Sequence, residues 1–495
     1  MLLCCSIMTT PLCAGNRLLV LFHDRSLQKI VHENAMRFTV PSALFSNILA
    51  AKANEYIGKP AGEDGNILIN GLPGGGKTMA VVIPTIMTWR GIQVIVDVKG
   101  DLARFWYLFN KHTEKKVKIF SPGMPDGSSR YDPFMLLRHG GNENLAGNAR
   151  DLALSLMPLM PAIKDPVWIK ATQALSTGAI IYYFDLGLSF VDTMVEIQLK
   201  PVTELIAEIT DDDNIAAKIQ VAQLQKVDSK VIVNVGMELS NLATLVTDPA
   251  IITAFSPNDK HGAIDWMELN FSSNEPFDII LEIPEAKLEQ WKPMTMLMIN
   301  QLVRALMQRA ERSYKVGEEA PPVLVMLDEF ARLGKVSAIK EGLATLRSRG
   351  VTFALFIQSL AQLDETYGAT AARAIAELCI YKAVLNAADP ASQKYFSDLV
   401  GTTESTQRSV SVDNDPLDGR ITGLGRSVSE TREPIIYAHE FLTQKDVVLI
   451  TPYGFCRVDK KLFVKNRDMF LMPQLLKNRD YALQNPISYT YNQDT

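Results

Sequence analysis

The chain has 495 residues, 50 of them Lys or Arg and 55 Asp or Glu, for a formal charge of −5. That balance excludes attachment to nucleic acid by a bulk basic coat. A composition that is 47 % apolar and 21 % charged is globular rather than disordered. At ~150 residues per domain, the length suggests about three domain-equivalents. Five cysteines, none in a C-x-x-C pair and three crowded at Cys4, Cys5 and Cys13, make neither a disulfide framework nor a zinc cage and point to a reducing compartment. No run of about 18 uncharged apolar residues occurs, so no complete membrane span is encoded. Met1–Gly15 comes nearest, but Thr9, Thr10 and Pro11 interrupt it and it lacks a basic leading region. It reads as a frayed or truncated start rather than a signal peptide.

Residues 1–64 are weakly patterned, with a helix expected over Ser42–Tyr56 and stopped by Gly58 and Pro60. Over 65–140, three β-rich runs (Asn66–Asn70, Ile92–Asp97 and Val117–Phe120) alternate with helical patterns, which predicts an α/β fold with a parallel sheet. Between 141 and 270 strand signals fade, helical periodicity dominates and acidic residues exceed basic ones, with Asp211, Asp212 and Asp213 adjacent. An inserted all-helical domain is expected there. Strand signals return over 271–470, at Phe277–Ile283, Val323–Leu327, Val351–Ile357 and Cys379–Leu385. A short pair follows, Val447–Ile450 and Phe455–Val458, around the turn Pro452-Tyr453-Gly454. Within this part, residues 401–433 are rich in Ser, Thr, Gly and Arg and read as a mobile polar loop. Residues 471–495 form a tail. There is no internal repeat.

Gly71-Leu72-Pro73-Gly74-Gly75-Gly76-Lys77-Thr78 matches G-x-x-x-x-G-K-[ST] at every constrained position. Gly71, Gly74, Gly75 and Gly76 let backbone N–H groups curl round a phosphate with no side chain in the way. Lys77 is placed to reach the β- and γ-phosphates and Thr78 to ligate Mg²⁺, so ATP and Mg²⁺ are the expected cofactors. The motif follows a strand and opens a helical pattern from Met79 to Met87, whose N-terminal dipole adds to the site. A chance glycine-rich turn would not carry both.

Val323–Leu327 is a fully apolar strand ending in Asp328-Glu329. Asp328 is the candidate partner of the metal, and Glu329 the candidate base for the attacking water. The plain alternative for Glu329 is a helix-start acid. Asp97 and Gln358 end two further strands, where ligands gather in parallel sheets. Gln358 is a candidate sensor of the γ-phosphate or of water beside Glu329, and a cap or turn role stays open for both.

Further segments extend the pattern: Val82-Ile83-Pro84-Thr85, Asp97-Val98-Lys99-Gly100-Asp101, Ser129-Arg130-Tyr131-Asp132-Pro133-Phe134, Leu327-Asp328-Glu329-Phe330-Ala331-Arg332-Leu333-Gly334, Gln358-Ser359-Leu360-Ala361-Gln362-Leu363 and Arg432-Glu433-Pro434-Ile435-Ile436. With the P-loop, they make the chain resemble the type IV secretion coupling proteins, conjugative DNA-transfer ATPases, from about Asn66 to Asp468. The resemblance implies a RecA-like P-loop NTPase domain with an inserted all-helical domain, assembled as a homo-hexamer. It implies that ATP hydrolysis drives single-stranded DNA, bound to a relaxase, toward type IV secretion channel components at the cytoplasmic face of the inner membrane. It also implies an arginine acting on the neighbouring subunit's nucleotide. Arg347 holds the matching position and Arg349 is close enough to take that role.

Two departures stand out. Family members usually begin with two membrane-spanning helices, absent from this sequence, and Val98 replaces the proline of the usual Asp-Pro-Lys-Gly. Two other readings compete: a double-stranded DNA pump of the chromosome-segregation type, and a nucleotide-gated receptor that recruits substrates without moving them. The helical insertion favours the coupling-protein reading. DNA contacts are poorly specified, because Arg332, Lys335 and Lys340 follow the Asp-Glu strand where exposed basic residues are commonly just solvated.

Overall fold

The computed structural model describes residues 17–22, 55–59, 65–89, 91–103, 106, 116–124, 128–158, 167–242, 244–257, 262–271, 276–311, 320–414, 421–458 and 460. In chain order its strands are β1 (Arg17–Phe22), β2 (Glu55–Lys59), β3 (Ile67–Asn70), β4 (Ile92–Asp97), β5 (Lys116–Phe120), β6 (Arg130–Tyr131), β7 (Ala263–Ile264), β8 (Phe277–Glu282), β9 (Val323–Leu327), β10 (Val351–Ile357), β11 (Tyr381–Val384), β12 (Thr402–Asn414), β13 (Ile421–Pro434), β14 (Val447–Thr451) and β15 (Gly454–Val458). One sheet has the order β15-β14-β11-β3-β10-β9-β4-β8-β5. From β11 to β5 the strands are parallel, and β14 with β15 adds an antiparallel edge. β1 pairs with β2, and β6 with β7, outside this sheet.

The central strands β3, β4, β9 and β10 are buried along their whole length, which is why they read as mainly apolar runs, β9 without a break. Alternate residues still go to opposite faces. Val94, Val96, Val323, Val325 and Leu327 join one apolar cluster, while Ile95, Leu324 and Met326 join the other. The second face is covered by the segment after the phosphate loop, through Val81 and Ile86, and by Trp106 from beyond β4. The segment after the loop starts with a π-helical turn, Thr78–Val82, and continues as α1 (Ile83–Thr88). The wider turn lies just ahead of Pro84, which has no N–H to carry on the α-helical ladder.

Between β6 and β7 lie α2 (Met135–Leu156), α3 (Val167–Asp185), α4 (Phe190–Leu199), α5 (Val202–Asp211), α6 (Ile215–Val221), α7 (Ser229–Leu242), α8 (Thr244–Thr247) and α9 (Pro249–Ala254). α3 is apolar around most of its circumference, so it takes the middle, with α2, α6 and α7 packed on it. Ser189, Asn214 and Asp248 fix three of the starts by accepting backbone N–H groups of Asp192, Ala217 and Ala250. The helices share their core with the sheet through an aromatic seam. Phe255 lies 6.3 Å from Phe120 of β5 and 5.6 Å from Phe190, which meets Phe134 edge-on at 5.6 Å. The remaining helices are α10 (Lys292–Met307), α11 (Ile339–Thr345), α12 (Leu360–Tyr367), α13 (Ala369–Leu378), α14 (Pro390–Val400) and α15 (Glu440–Thr443).

Two sequence expectations need correction. The polar stretch 401–433 is not a structureless loop, because β12 and β13 pair antiparallel from Thr402↔Pro434 to Asn414↔Ile421. Its Thr and Val content favours strand, but the ribbon lies outside the main sheet, so the run carries no clear apolar alternation of the kind a sequence reveals. The helix expected over Ser42–Tyr56 lies outside the described residues through Asn54. Its last two residues, Glu55 and Tyr56, open β2, where they pair with Arg17 and Leu18. Among the described residues, no helix is long and apolar enough to cross a membrane.

Candidate nucleotide-binding site

Because β3, β4, β9, β10 and β11 are parallel, their carboxyl ends share one edge, the edge at which such sheets bind ligands. The phosphate loop leaves β3 there. Gly71 N donates to Ile357 O at 3.1 Å and Gly75 N to Leu72 O at 2.9 Å, which starts the curl. Gly74 and Gly76 have φ of +73° and +94°, a region that side chains disfavour. Thr78 sits partly exposed at the head of the following helix. Lys77 is buried, and its Nζ donates to Gly71 O at 2.5 Å. Burial holds the Lys77 ammonium below the ordinary lysine range, opposed by the charges of Glu329 and Asp328.

β9 delivers those two carboxylates. Asp328 N still donates to Val96 O at 3.2 Å, and the chain then turns sharply, since Glu329 has φ of +49°. Among the described residues, Glu329 is the only non-glycine residue with positive φ, and such strain gathers at functional sites. The turn places Glu329 Oε1 3.6 Å from Lys77 Nζ. Its other oxygen accepts a 2.6 Å bond from Gln358 Nε2. Lys77, Glu329 and Gln358 therefore meet, although they come from three strand ends.

Asp328 is pushed up to about 6, first by burial and then by the nearby charges of Glu329 and Asp97. Asp97 is also raised to about 6 by burial, even though it accepts backbone N–H bonds from Lys99, Gly100, Leu102 and Ala103 at 2.8–3.2 Å. Those four bonds give Asp97 the turn-forming role of its two readings.

The structure does not bring Arg347 to the site of its own chain. It is exposed in the turn Leu346–Arg349, ahead of β10, whereas Glu329 and Gln358 lie past the opposite strand ends. Seven residues of β10 at ~3.3 Å each put the two edges about 20 Å apart. Arg349 is engaged locally, donating to Arg309 O and standing 3.9 Å from Glu311. Arg332 pairs with Glu285 at 2.7 Å.

Asn386 is a site residue that the sequence reading missed. It follows β11, and its Oδ1 accepts the Leu72 N–H of the phosphate loop at 2.7 Å. The available cue was the one that singled out Gln358, a polar side chain directly after a buried apolar run.

The sequence matches the family described as "Type IV secretory system Conjugative DNA transfer" over residues 45–479. It is 25 % identical over 397 residues to the conjugal transfer protein TraG of Escherichia coli, covering 74 % of this chain and 60 % of that one. Protein VirD4 of Rhizobium rhizogenes is 23 % identical over 441 residues, covering 88 % of this chain and 63 % of that one. The chain thus spans 60–63 % of the length of these relatives. Among solved structures, the bacterial conjugative coupling protein TrwBdeltaN70 in its unbound monoclinic form gives a TM-score of 0.62 at 17 % identity, covering 80 % of this chain and 84 % of that one. Plasmid coupling protein TrwB in complex with ADP and Mg²⁺ gives 0.61 at 16 %, covering 80 % and 85 %. At such identity the likeness is one of fold, and it bears out the expected α/β class, a RecA-like P-loop NTPase with a mostly parallel sheet. The family match begins ahead of the phosphate loop and runs beyond β15, and on that ground the chain belongs to the type IV secretory system conjugative DNA transfer family.

Proposed function

We propose that this chain is an ATP-hydrolysing coupling protein that links relaxase-bound single-stranded DNA to the channel of a type IV secretion system and drives its transfer. The observation that carries this reading is the meeting of Lys77, Glu329 and Gln358 beside a glycine loop with the backbone of a phosphate cradle.

The residues present fit ATP and Mg²⁺. Gly71, Gly74, Gly75 and Gly76 give the loop its curl round the phosphates, Gly74 and Gly76 offering their backbone N–H groups, and Lys77 supplies the cation. Thr78 and Asp328 are the groups that would hold Mg²⁺. Asp328 is raised to about 6 by burial and by two neighbouring carboxylates, a situation that a divalent cation relieves. When bound, Mg²⁺ neutralises phosphate charge. TrwB, its neighbour in fold, has been solved with ADP and Mg²⁺.

Glu329 acts as the base. Gln358 occupies Oε2, which leaves Oε1, the oxygen facing Lys77, to take a proton from water. Arg347 reaches a nucleotide only from a neighbouring copy, which supports a ring assembly, a homo-hexamer in our reading. That ring would work at the cytoplasmic face of the inner membrane, with the secretion channel as its partner.

Transfer frequency from donor cells that rely on this chain tests the proposal. Lys77→Ala and Glu329→Gln donors should transfer no DNA while maintaining the element normally. Transfer at the wild-type frequency in either would overturn it.

A further inference from the structure

The end of β11 is stitched to the phosphate loop by three hydrogen bonds in succession. Leu385 N donates to Asn70 O at 2.9 Å, Asn70 Nδ2 to Asn386 O at 2.8 Å, and Leu72 N to Asn386 Oδ1 at 2.7 Å. Asn70 and Leu385 are fully buried, so water does not compete for the first. Asn386 also bounds the loop from outside: a Cβ on Gly75 would stand 3.0 Å from its Oδ1 and 3.3 Å from its Nδ2. On the other flank the loop is tied by one backbone bond, Gly71 N to Ile357 O. The segment carrying Asn386 is itself braced. Ala387 N donates to Phe441 O at 2.9 Å, and Gln444 Nε2 to Val384 O at 2.7 Å.

Leu72 N–H has to find an acceptor outside the curl of the loop. A carboxylate could accept it, but would set a negative charge beside a cradle built for phosphate. A neutral amide supplies the same acceptor without that repulsion.

We infer that Asn386 is a positioning residue for the phosphate loop, its side-chain oxygen fixing Leu72 and through it the curl of Gly74–Gly76. The inference rests on the nucleotide-binding reading of the loop. It places the control of loop shape on a strand that carries none of the catalytic candidates.

Hydrogen exchange of the full chain, read on peptides covering Gly71–Gly76, tests the latch without nucleotide. Titration with a fluorescent ATP analogue and steady-state hydrolysis then read its consequence. In Asn386→Ala the Leu72 amide should exchange roughly fivefold faster, as loss of one net hydrogen bond predicts, while Asn386→Asp, which keeps the acceptor, should stay protected. Asn386→Ala should raise KM about five- to tenfold with kcat within about twofold, because Lys77, Glu329 and Gln358 are untouched. Asn386→Asp should also bind nucleotide more weakly, here through charge. Unchanged exchange in Asn386→Ala, or equal deprotection in both variants, would overturn the latch. Faster exchange in Asn386→Ala alone, in a protein whose wild type binds no nucleotide, would uphold the latch and sink the nucleotide reading.

Discussion

Gln358 Nε2 donates to Glu329 Oε2 at 2.6 Å, and the bond joins the ends of two neighbouring strands, β10 and β9. It fixes which carboxylate oxygen is left for chemistry. With Oε2 engaged, Oε1 stands 3.6 Å from the Lys77 ammonium, so Lys77, Glu329 and Gln358 form one connected unit. The positive φ of Glu329 turns the chain at the end of β9, whereas an extended residue there would carry its side chain to one face of the sheet.

Glu329→Gln should bind ATP near the wild-type level and lose turnover by about 10²–10⁴-fold, the usual contribution of a positioned base. The amide can still accept the Gln358 bond, so the site keeps its shape while losing its proton acceptor. Equilibrium binding together with phosphate release measures both halves. Weakened binding with preserved turnover would make Glu329 a structural acid.

Lys77→Ala should lower hydrolysis by on the order of 10²-fold or more, because the phosphates lose their positioning cation. It also leaves the buried Glu329 without the cation 3.6 Å away. Turnover near the wild-type rate would remove the P-loop assignment.

Asp328→Asn should stabilise the nucleotide-free protein while abolishing Mg²⁺-dependent turnover. The native carboxyl is raised to about 6 by burial, above the ~3.9 of an unfolded chain. The folded state therefore binds more protons than the unfolded one between these values, and stability contributed by this group falls as pH rises from about 4 to about 6. Above about pH 7 the loss is complete and constant. The variant should gain on the order of 2–3 kcal/mol over wild type at pH 7.5, with the gain fading toward pH 4. Denaturant unfolding at the two pH values checks it, and an equal difference at both would assign the effect to packing.

Arg347→Ala should leave ATP affinity intact and lower turnover only in assembled rings, by roughly 10³–10⁵-fold if it acts as other trans arginines do. Among the described residues the Arg347 side chain makes no hydrogen bond or ion pair, whereas that of Arg349 is held by Arg309 O and Glu311. The free guanidinium is thus the better placed of the two. Rings mixed from Arg347→Ala and Glu329→Gln subunits should recover activity above the sum of the separate variants. An equal Arg347→Ala defect in dilute protomer and ring would end the trans role.

Much of this site was legible because its parts lie in local runs of sequence. The phosphate loop has a fixed spacing, and Asp328 and Glu329 close an unbroken apolar strand. β9 and β10 show themselves because burial on both faces leaves β9 with no polar residue and β10 with only Thr352. Asn386 escaped notice because its partner, Leu72, is 314 residues away, and only the order of β11, β3 and β10 in the sheet makes them neighbours. Glu329's left-handed backbone escaped for a related reason, as no glycine or asparagine signals it. The β12–β13 ribbon was invisible because it pairs only with itself, outside the main sheet, and its Ser-, Thr-, Gly- and Arg-rich composition reads as a loop.

The most direct test of the account is steady-state phosphate release by the wild-type chain with and without single-stranded DNA, run beside Glu329→Gln under the same conditions. The account predicts ATP turnover in the wild type, raised by single-stranded DNA, and near-background release in the variant at normal ATP occupancy. Nucleotide binding with no turnover above the Glu329→Gln background, with or without DNA, would contradict it and leave a receptor in place of a motor.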